Sequence, residues 1–347
     1  MIFKIDPLQD PRWLELVERH AFSSIFHTRG WLEALRRTYG FKLTAYTSAA
    51  PGSDLNNGLA FCRVRGFFSS PGLVSLPYSD HCEPLCESPE ELDFLMGCVQ
   101  AEMEHRNWKY LEMRPRRWTL NRREDKAGFR PLKAYSLRSF ELGANLDELF
   151  ARLDDSLQRR IRSAQQTGLT VECGRSEELL KSFYRLMMLS EKRRSLPLNP
   201  AAWFRNLVDC LGESLEIRVA SRGKIPVAAS MSLRFRDKVL RKYSCSDTGR
   251  DHSDAASALL WNELVDAKSK GVREYELGRI ESRRPCSPDC GNEWNSGKME
   301  LVSWRYPAPH FAFLDENGIP STGNSLFASL TQPLLKAAAR VMYPHLG

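Results

Sequence analysis

The spacing of apolar residues predicts both helices and strands. Apolar positions three and four residues apart predict helices in the segments FHTRGWLEALRRTYG, SPEELDFLMGCVQAEMEHRN, NLDELFARLDDSLQRRIRSAQQTG, EELLKSFYRLMMLSEKRRS, AAWFRNLVDCL and SDAASALLWNELVDAKSKG. Alternating or short continuous apolar runs predict strands in KLTAYTS, GLAFCRVRG, WKYLEMR, LTVECG and VREYELG, and a three-strand run with tight turns in LEIRVASRGKIPVAASMSLRFRDKVLRKYSCS. This order of elements is typical of an α/β protein.

Residues that favour helix ends support several of these helices. Thr28 is a predicted N-cap, and Gly40 is expected to end the same helix. Ser88 is predicted to cap a helix that has Pro89 in its first turn. The segment from Asn145 to the glycine at 168 is predicted to be one long helix.

Two helix-strand segments resemble each other. The helix over 88–106 leads into KYLEMR and the helix over 253–270 leads into REYELG, with Glu112 and Glu276 at matching places. Together with a length of 347 residues, this predicts two copies of one α/β unit. The expected domains are 1–141 and 142–310. A tail over 311–347 is expected to pack back on the body, with reversible membrane or partner docking as the alternative.

The composition is that of a globular protein without a membrane-spanning segment. The sequence is 42% hydrophobic and 27% charged, which is ordinary for a globular protein, and no apolar run approaches the ~18 residues of a membrane span. The start, MIFKIDPLQD, lacks the features of a secretory signal, so a cytoplasmic location is expected. The net charge of +7 permits a phosphate-bearing partner without requiring one, and DNA is not expected as a partner.

The second half has the order strand, strand, turn, helix, strand, which is similar to that of acetyltransferases that use acetyl-CoA. Those proteins bind a pyrophosphate with a glycine-rich loop at a helix N-terminus. The matching segment here, SCSDTGRDHSDAASALL, has one glycine, Gly249, and one arginine, Arg250. Its carboxylates at Asp247, Asp251 and Asp254 would repel a pyrophosphate, so this segment disfavours such a site.

The chain resembles the FemAB-like family, in particular its Gram-negative branch associated with exopolysaccharide and exosortase genes. The resemblance rests on IFHTRGWLEALRRTYGF, GLVSLPYSDHCEPL, RRIRSAQQTGL, FYRLMMLSEKRRSLPLNPAAWF, GKIPVAASMSL and GVREYELGR, in that order. It implies an α/β fold of two tandem GNAT (acyl-CoA N-acyltransferase)-like domains with mixed central sheets. It also implies an enzyme that transfers an acyl or aminoacyl group to an amine, or a hydroxyl, of a peptidoglycan or polysaccharide precursor. The expected partners are an acyl donor, either aminoacyl-tRNA or an acyl thioester, and a phosphate-bearing precursor, with no separate cofactor.

The segment YELGRIESRRPCSPDCGNEWNSGKME carries the predicted reaction centre. Arg279 and Glu281 flank a strand end, where sites form in α/β sheets, although a surface ion pair is the alternative. Members of the resembled family follow this strand with a Phe-Lys pair. Here Trp294 takes the aromatic place, Asn295 takes the lysine place, and Lys298 is the nearest lysine. We therefore predict Arg279, Glu281, Trp294 and Lys298 as catalytic residues.

A second group of residues is predicted to hold the acceptor. The resemblance implies that Tyr243 contacts substrate and that Arg193 and Arg194 grip a precursor phosphate. The alternatives are a core tyrosine with a satisfied hydroxyl and a basic helix end. Tyr78 and Asp80, in the loop LPYSDHCEP, are predicted to form a cleft wall, or else a turn held rigid by prolines.

Two further functions remain open. One is an acyltransferase that depends on acyl-CoA or acyl-carrier protein, which binding of CoA would favour. The other is a catalytically weak binding module that retains the fold, which the missing Phe-Lys pair favours. Full rescue of a deletion phenotype by Lys298→Ala and Arg279→Ala variants would support the binding module.

The cysteines generate a testable prediction. Nine cysteines in a long chain fit free thiols in a reducing compartment. Cys82 and Cys86 share their spacing with Cys286 and Cys290, so a shared zinc ion is the alternative. We expect free thiols, and therefore no stoichiometric zinc in freshly purified protein when the metal content is measured by mass spectrometry. One equivalent of zinc per chain would contradict this expectation.

Overall fold

The computed structural model describes residues 1–64, 71–117, 128–193, 198–247, 253–281 and 297–307, with the backbone alone at 253, 280 and 281. The chain divides into two compact units. Unit 1 contains Met1–Ala134 and the segment that begins at Leu301, and unit 2 contains Tyr135–Glu300. The domain limits predicted from the sequence stay a prediction, and the tail lies outside the described residues.

Unit 1 is built on a mixed sheet. Its elements are β1 Phe3–Ile5, α1 Pro11–Arg19, a short 3₁₀ helix Ile25–His27, α2 Arg29–Tyr39, β2 Lys42–Thr47, β3 Leu59–Val64, β4 Gly72–Val74, α3 Pro89–His105 and β5 Tyr110–Met113. The strands β1 to β4 pair antiparallel in sequence order, and β5 joins β4 in parallel. The carboxyl end of a later strand, Gly297–Tyr306, pairs antiparallel with β5.

Unit 2 repeats this plan. Its elements are β6 Arg130–Glu141, α4 Leu146–Ala151, α5 Asp155–Gln166, β7 Leu169–Gly174, α6 Glu177–Arg193, α7 Ala201–Leu211, β8 Leu215–Arg222, β9 Ile225–Phe235, β10 Lys238–Ser246, α8 Ser253–Ser269 and β11 Glu274–Glu281, and Gly297–Tyr306 is β12. The strands β7 to β10 pair antiparallel in sequence order, β11 joins β10 in parallel, and β6 pairs antiparallel with β11.

The parallel pair is the same in both units. A helix connects the two parallel strands in each unit, α3 in unit 1 and α8 in unit 2, because parallel strands need a crossover. Each ladder has three residue pairs, and the last pairs are Val74 with Glu112 and Leu240 with Glu276. The matching glutamates of the two sequence segments therefore occupy the same register position. The predicted mixed-sheet fold with two copies of one unit is confirmed.

Local sequence signals account for most helix ends. The Thr28 side chain accepts from the backbone N–H of Trp31, and α2 ends at Gly40 with φ +68°, as its sequence predicts. Ser88 caps α3, and Pro89 lies in its first turn. These caps satisfy backbone groups that a helix end leaves without intrahelical partners.

The single helix predicted from Asn145 to 168 is wrong. The structure has two helices there, α4 and α5, although the buried residues Leu149, Leu153 and Leu157 keep a helical spacing throughout. The Asp154 carboxylate accepts the backbone N–H of Ser156 at 2.8 Å and begins α5. A local side-chain cap thus competes successfully with continuation of the helix.

Each crossover helix packs its apolar residues on the sheet of its own unit. In unit 1, Leu92, Leu95 and Val99 of α3 are fully buried in a cluster with Leu111 of β5. In unit 2, Leu260 and Leu264 of α8 pack in a cluster with Tyr275 of β11. None of the described helices is long and apolar enough to cross a membrane.

Two glycines of unit 1 provide a test of packing. A Cβ on Gly72 would lie 2.5 Å from the ring of Tyr110, its partner in the parallel ladder, whereas a Cβ on Gly97 in α3 would meet nothing within 4 Å. We expect Gly72→Ala to lower the free energy of unfolding by about 1–3 kcal/mol through overpacking. We expect the control Gly97→Ala to raise it by roughly 0.5–1 kcal/mol, because alanine is the better helix former. Urea unfolding measures both, and equal effects would contradict the packing.

Candidate active site

The candidate site lies where β10 and β11 stop pairing. The two strands run parallel and pair from Lys238 with Glu274 to Leu240 with Glu276, and no further pairs are formed between them along the described residues. Both strands continue beyond that point, to Ser246 and Glu281. Parallel strands present their carboxyl ends at one edge of a sheet, which is where α/β proteins place ligands.

A bulge in β10 places two polar residues, two positions apart in sequence, on opposite faces of the sheet. Arg241 pairs with Ser232 of β9, but Tyr243 pairs with Met231, so Lys242 is the extra residue. Residues two apart on a regular strand share a face, and a bulge changes which way the chain points after it. Arg241 therefore faces α8, while Tyr243 faces α6 and α7.

Tyr243 lies in an aromatic cluster at the end of β10. Its hydroxyl accepts a hydrogen bond from Trp203 Nε1 at 2.8 Å, and its ring packs edge-on against Phe204 and Phe183. The side chain is half-buried. Both predictions for Tyr243, substrate contact and a satisfied core hydroxyl, fit this arrangement.

Arg193 fixes the carboxyl end of β10. It is the last residue of α6, and its guanidinium donates to the Ser246 carbonyl at 2.6 Å and to the Asp247 carboxylate at 3.0 Å. A guanidinium carries five N–H donors, so these two bonds leave it capacity for a phosphate oxygen. Arg194 lies outside the described residues.

On the other strand, Arg279 stacks on an aromatic ring. Its guanidinium carbon lies 4.0 Å from the ring centroid of Tyr135 in β6. The ladder between β11 and β6 shifts register between Glu276 and Arg279, and Gly278 within this bulge has φ +77°. Glu281 pairs through its backbone with Tyr135, and nothing further of its side chain is described.

Lys298 is the one other predicted catalytic residue whose side chain is described. It is the second residue of β12 and is exposed. Trp294 lies outside the described residues. The structure thus brings Tyr243 and Arg193 to the end of β10 and Arg279 to the end of β11.

A buried ion pair lies beneath these strand ends, and the sequence analysis does not predict it. Glu263 of α8 is 2% exposed and Arg241 is 4% exposed, and Arg241 Nε lies 3.2 Å from Glu263 Oε2. The available signal was a carboxylate at a helical position between the apolar residues Leu260 and Leu264. A charge at a core-facing position needs a buried partner.

Unit 1 fills the corresponding place with its own chain. After β4, the Ser75 backbone N–H donates to the Glu112 carbonyl at 2.9 Å, and Ser75 Oγ accepts from the Arg114 N–H at 2.9 Å. The Cys82 N–H then donates to the Arg114 carbonyl at 2.6 Å. The loop over 75–83 therefore bridges the ends of β4 and β5, so the candidate site belongs to unit 2.

The two substrate-binding residues predicted in this loop differ in exposure. Asp80 is 6% exposed, so it is buried within the loop. Tyr78 is half-buried, has φ +64° and stacks on Tyr39 with ring centroids 4.6 Å apart. Leu76 also has a positive φ of 42°, and such backbone strain in residues other than glycine persists only where the surrounding packing enforces it.

Cys82 of the same loop contacts His27 without forming a nucleophilic pair with it. His27 Nδ1 accepts the Ser24 backbone N–H at 3.1 Å, so Nε2 carries the proton and donates to the Glu83 carbonyl at 3.0 Å. Cys82 Sγ lies 3.7 Å from that Nε2. A protonated Nε2 cannot accept the thiol proton, and burial raises the pKa of Cys82.

The shared-zinc hypothesis stays untested. Cys82 and Cys86 are both buried, and burial raises the pKa of each thiol. Cys286 and Cys290 lie outside the described residues. Over the described ranges, no group of three or more histidine, cysteine and carboxylate side chains is arranged to hold a metal ion.

A cavity of ≈ 250 Å³ lies near the start of β8 and the C-terminal half of α8, and its lining extends to Glu263 and Tyr275. Its charged groups pair with each other: Arg218 donates to Glu216 and Asp266, and Lys270 contacts the same two carboxylates. Because these charges are already paired with each other, we do not assign a ligand to this cavity.

Comparison with known proteins identifies the fold. Residues 151–285 match the family model described as an acetyltransferase (GNAT) domain. The structure is similar to that of FemX, with 13% identity, a TM-score of 0.66 and coverage of 86% of this chain and 96% of that chain. The chain has a tandem GNAT fold. Comparison with curated proteins gave no match.

Two further solved structures share this tandem fold. One is a tandem GNAT protein from the clavulanic acid biosynthesis pathway, with 10% identity, a TM-score of 0.57 and coverage of 90% and 99%. The other is the C-terminal domain of a proposed lysylphosphatidylglycerol synthetase from Agrobacterium fabrum, with 11% identity, a TM-score of 0.55 and coverage of 93% and 98%. The domain match confirms the predicted acyltransferase class, and the matched residues include β10, α8 and β11.

His27 generates a prediction of pH-dependent stability. Burial lowers the pKa of His27 from 6.5 to about 4. Between these values the unfolded chain binds a proton that the folded chain does not, so the free energy of unfolding falls as the pH falls from 6.5 towards 4. The slope from this residue is up to about 1.4 kcal/mol per pH unit. We expect His27→Gln to lose that part of the slope in denaturant unfolding measured at several pH values. Parallel curves for the two proteins would contradict the buried neutral imidazole.

Proposed function

We propose that unit 2 transfers an acyl or aminoacyl group to an amine, or a hydroxyl, of a cell-envelope precursor in the cytoplasm. The observation that carries this proposal is the separation of β10 and β11 after Leu240 and Glu276, within the segment that matches the acetyltransferase domain. Two diverging parallel strands offer backbone groups and side chains from both sides to a donor placed between them.

The reaction requires little chemistry from the protein. The acceptor nitrogen attacks the donor carbonyl carbon, a C–N bond forms, and the C–O bond of an aminoacyl ester or the C–S bond of a thioester breaks. The amine loses a proton and the leaving group gains one. The protein must align the two substrates, accept that proton and stabilise charge on the carbonyl oxygen.

The predicted residues have roles within this scheme. Arg279, near the end of β11, is the proposed donor to a developing oxyanion, and Glu281 is the proposed proton acceptor. Lys298 is a second candidate donor, and Trp294 is the proposed aromatic wall. A lysine or arginine donor aimed at the reacting carbonyl acts most strongly where water is excluded.

On the β10 side, Arg193 and Arg194 would bind the acceptor phosphate, and Tyr243 would contact the acceptor. The bonds from Arg193 to Ser246 and Asp247 hold the guanidinium beside the strand end in a fixed geometry. Fixing a donor before the ligand arrives reduces the entropy lost on binding.

The structural neighbours support an envelope precursor as the acceptor. The fold is shared with FemX and with a proposed lysylphosphatidylglycerol synthetase, and the second name refers to an aminoacylated membrane lipid. An aminoacyl donor and a phosphate-bearing acceptor follow as the favoured pair. Contact of the C-terminal tail with the membrane is a further part of this proposal.

An acyl-CoA or acyl-carrier-protein donor is the second candidate, because the structure weakens one argument against it, the repulsion of a pyrophosphate by Asp247. Asp247 was expected to repel a pyrophosphate, but its carboxylate is paired with Arg193 at 3.0 Å. Pairing with a cation offsets part of the repulsion that an isolated carboxylate would exert.

Native mass spectrometry tests the donor and acceptor. Acetyl-CoA, an aminoacyl-tRNA and a nucleotide-linked muramyl peptide are added separately to gently purified protein. We expect mass shifts with the tRNA or the muramyl peptide and none with acetyl-CoA. A shift with acetyl-CoA alone would replace this proposal by the acyl-CoA one. Binding without turnover when donor and acceptor are combined would favour the binding module.

Two arginines of unit 2 give a matched pair of variants. Arg193→Ala removes the donor beside the end of β10, whereas Arg205→Ala removes an exposed arginine of α7 that pairs with Glu177. We expect the first to weaken muramyl-peptide binding by about tenfold or more, as for loss of a hydrogen bond to a charged group. We expect the second to leave binding unchanged. Equal effects would remove Arg193 from the acceptor site.

A further inference from the structure

One buried carboxylate connects three strands of unit 2. Glu263 of α8 accepts from Ser230 Oγ of β9 through Oε1 and from the Tyr275 hydroxyl of β11 through Oε2. Arg241 of β10 completes the cluster, with Nε 3.2 Å from Oε2. A carboxylate has about four lone-pair sites, which is enough for both hydroxyls, and the contact with Arg241 is an ion pair. We call these four residues the Glu263 cluster.

The cluster lies at the level where the parallel ladder ends. The last residue pair is Leu240 with Glu276. Arg241 follows Leu240 on β10, and Tyr275 precedes Glu276 on β11. Glu263 thus holds both strands from one face at the point where their backbone pairing stops.

Both strands become irregular directly after the cluster. In β10 the bulge at Lys242 follows Arg241, and in β11 the bulge around Gly278 follows Glu276. A bulge bends its strand and disrupts the ladder locally. The two strands are therefore fixed on one side of this level and free to diverge on the other.

The charge of Arg241 and the protonated hydroxyl of Tyr275 both stabilise their contacts with Glu263. Burial, and then the Glu263 carboxylate, raise the pKa of Tyr275, so its hydroxyl stays protonated and donates. Arg241 supplies the positive charge that a buried carboxylate requires. Hydrogen bonds that share one buried acceptor polarise each other, and loss of one partner affects the rest.

We propose that Glu263 is a positioning residue that fixes where β10 and β11 separate and thereby sets the width of the donor site between their carboxyl ends. This rests on the proposed function. Glu263 does not touch substrate in this proposal. It acts through Arg241 on the segment that carries Tyr243, and through Tyr275 on the segment that carries Arg279.

The two hydroxyl partners of Glu263 allow a sharp test. Tyr275→Phe keeps the ring and removes the hydrogen bond to β11, one of the diverging strands. Ser230→Ala removes a hydrogen bond to the same carboxylate from β9, which does not line the separation. Both variants delete one buried hydroxyl, so a merely structural role predicts similar effects from both.

Amide hydrogen exchange measures the mobility of the strands. The affinities for acetyl-CoA and for aminoacyl-tRNA measure whether the donor site keeps its shape. We expect Tyr275→Phe to raise amide exchange over 277–281 by about tenfold and to weaken whichever donor binds by about tenfold, the effect of one hydrogen bond to a charged group. We expect Ser230→Ala to leave donor affinity and exchange over 277–281 within about twofold.

The outcomes separate this proposal from the proposed function. Equal effects of the two variants on donor affinity, or unchanged exchange over 277–281 in Tyr275→Phe, would overturn the positioning role. Raised exchange in Tyr275→Phe alone, with no donor bound by the wild-type protein, would support the connection to β11 and reject the proposed function. Glu263→Gln, which keeps the shape and removes the charge, should increase exchange over both 241–246 and 277–281 if it folds.

Discussion

A parallel strand pair that ends after three residue pairs is the constraint on which both units depend. Each pair requires a crossover helix, and that helix supplies the main apolar face of its unit. Where the ladder stops, the backbone groups of both strands need other partners. Unit 1 supplies them from its own loop over 75–83, whereas unit 2 holds its strands from behind with Glu263. The same constraint is therefore met in unit 1 by a loop that occupies the ends of the parallel strands, and it leaves a candidate site at the corresponding place in unit 2.

Much of the fold could be predicted because its signals are local. Thr28, Gly40 and Ser88 each act on the backbone of the same few residues, so a short window contains the whole interaction. The break between α4 and α5 is local as well, but Asp154 competes there with an apolar spacing that continues across it. Periodicity alone favours the longer helix. No strand is predicted over Arg130–Glu141, because its buried residues, Ser136, Leu137 and Phe140, do not follow the alternation of a half-buried strand.

The site was less predictable than the fold, because it depends on register. The sequence predicts that Tyr243 lies on a strand and that Arg279 flanks a strand end, and the structure has both residues in the last four residues of their strands. It could not show the bulge at Lys242, which turns Arg241 and Tyr243 to opposite faces. A bulge is defined by the partner strand, and pairing is a long-range property. For the same reason the partners of Glu263, which come from three strands, have no signature in a single segment.

Charge at the start of α8 bears on which donor the site accepts. A helix N-terminus attracts anions, and a pyrophosphate would bind there through backbone N–H groups. Asp254 lies in the first turn of α8, where a carboxylate already gains from the same partial positive charge. An incoming pyrophosphate must therefore compete with a resident carboxylate for this helix end. Asp247 adds little to that competition because Arg193 pairs with it. The electrostatic case against an acyl-CoA donor thus rests on the first turn of α8 rather than on the end of β10. This is why we propose an aminoacyl ester, which brings no pyrophosphate to that helix end.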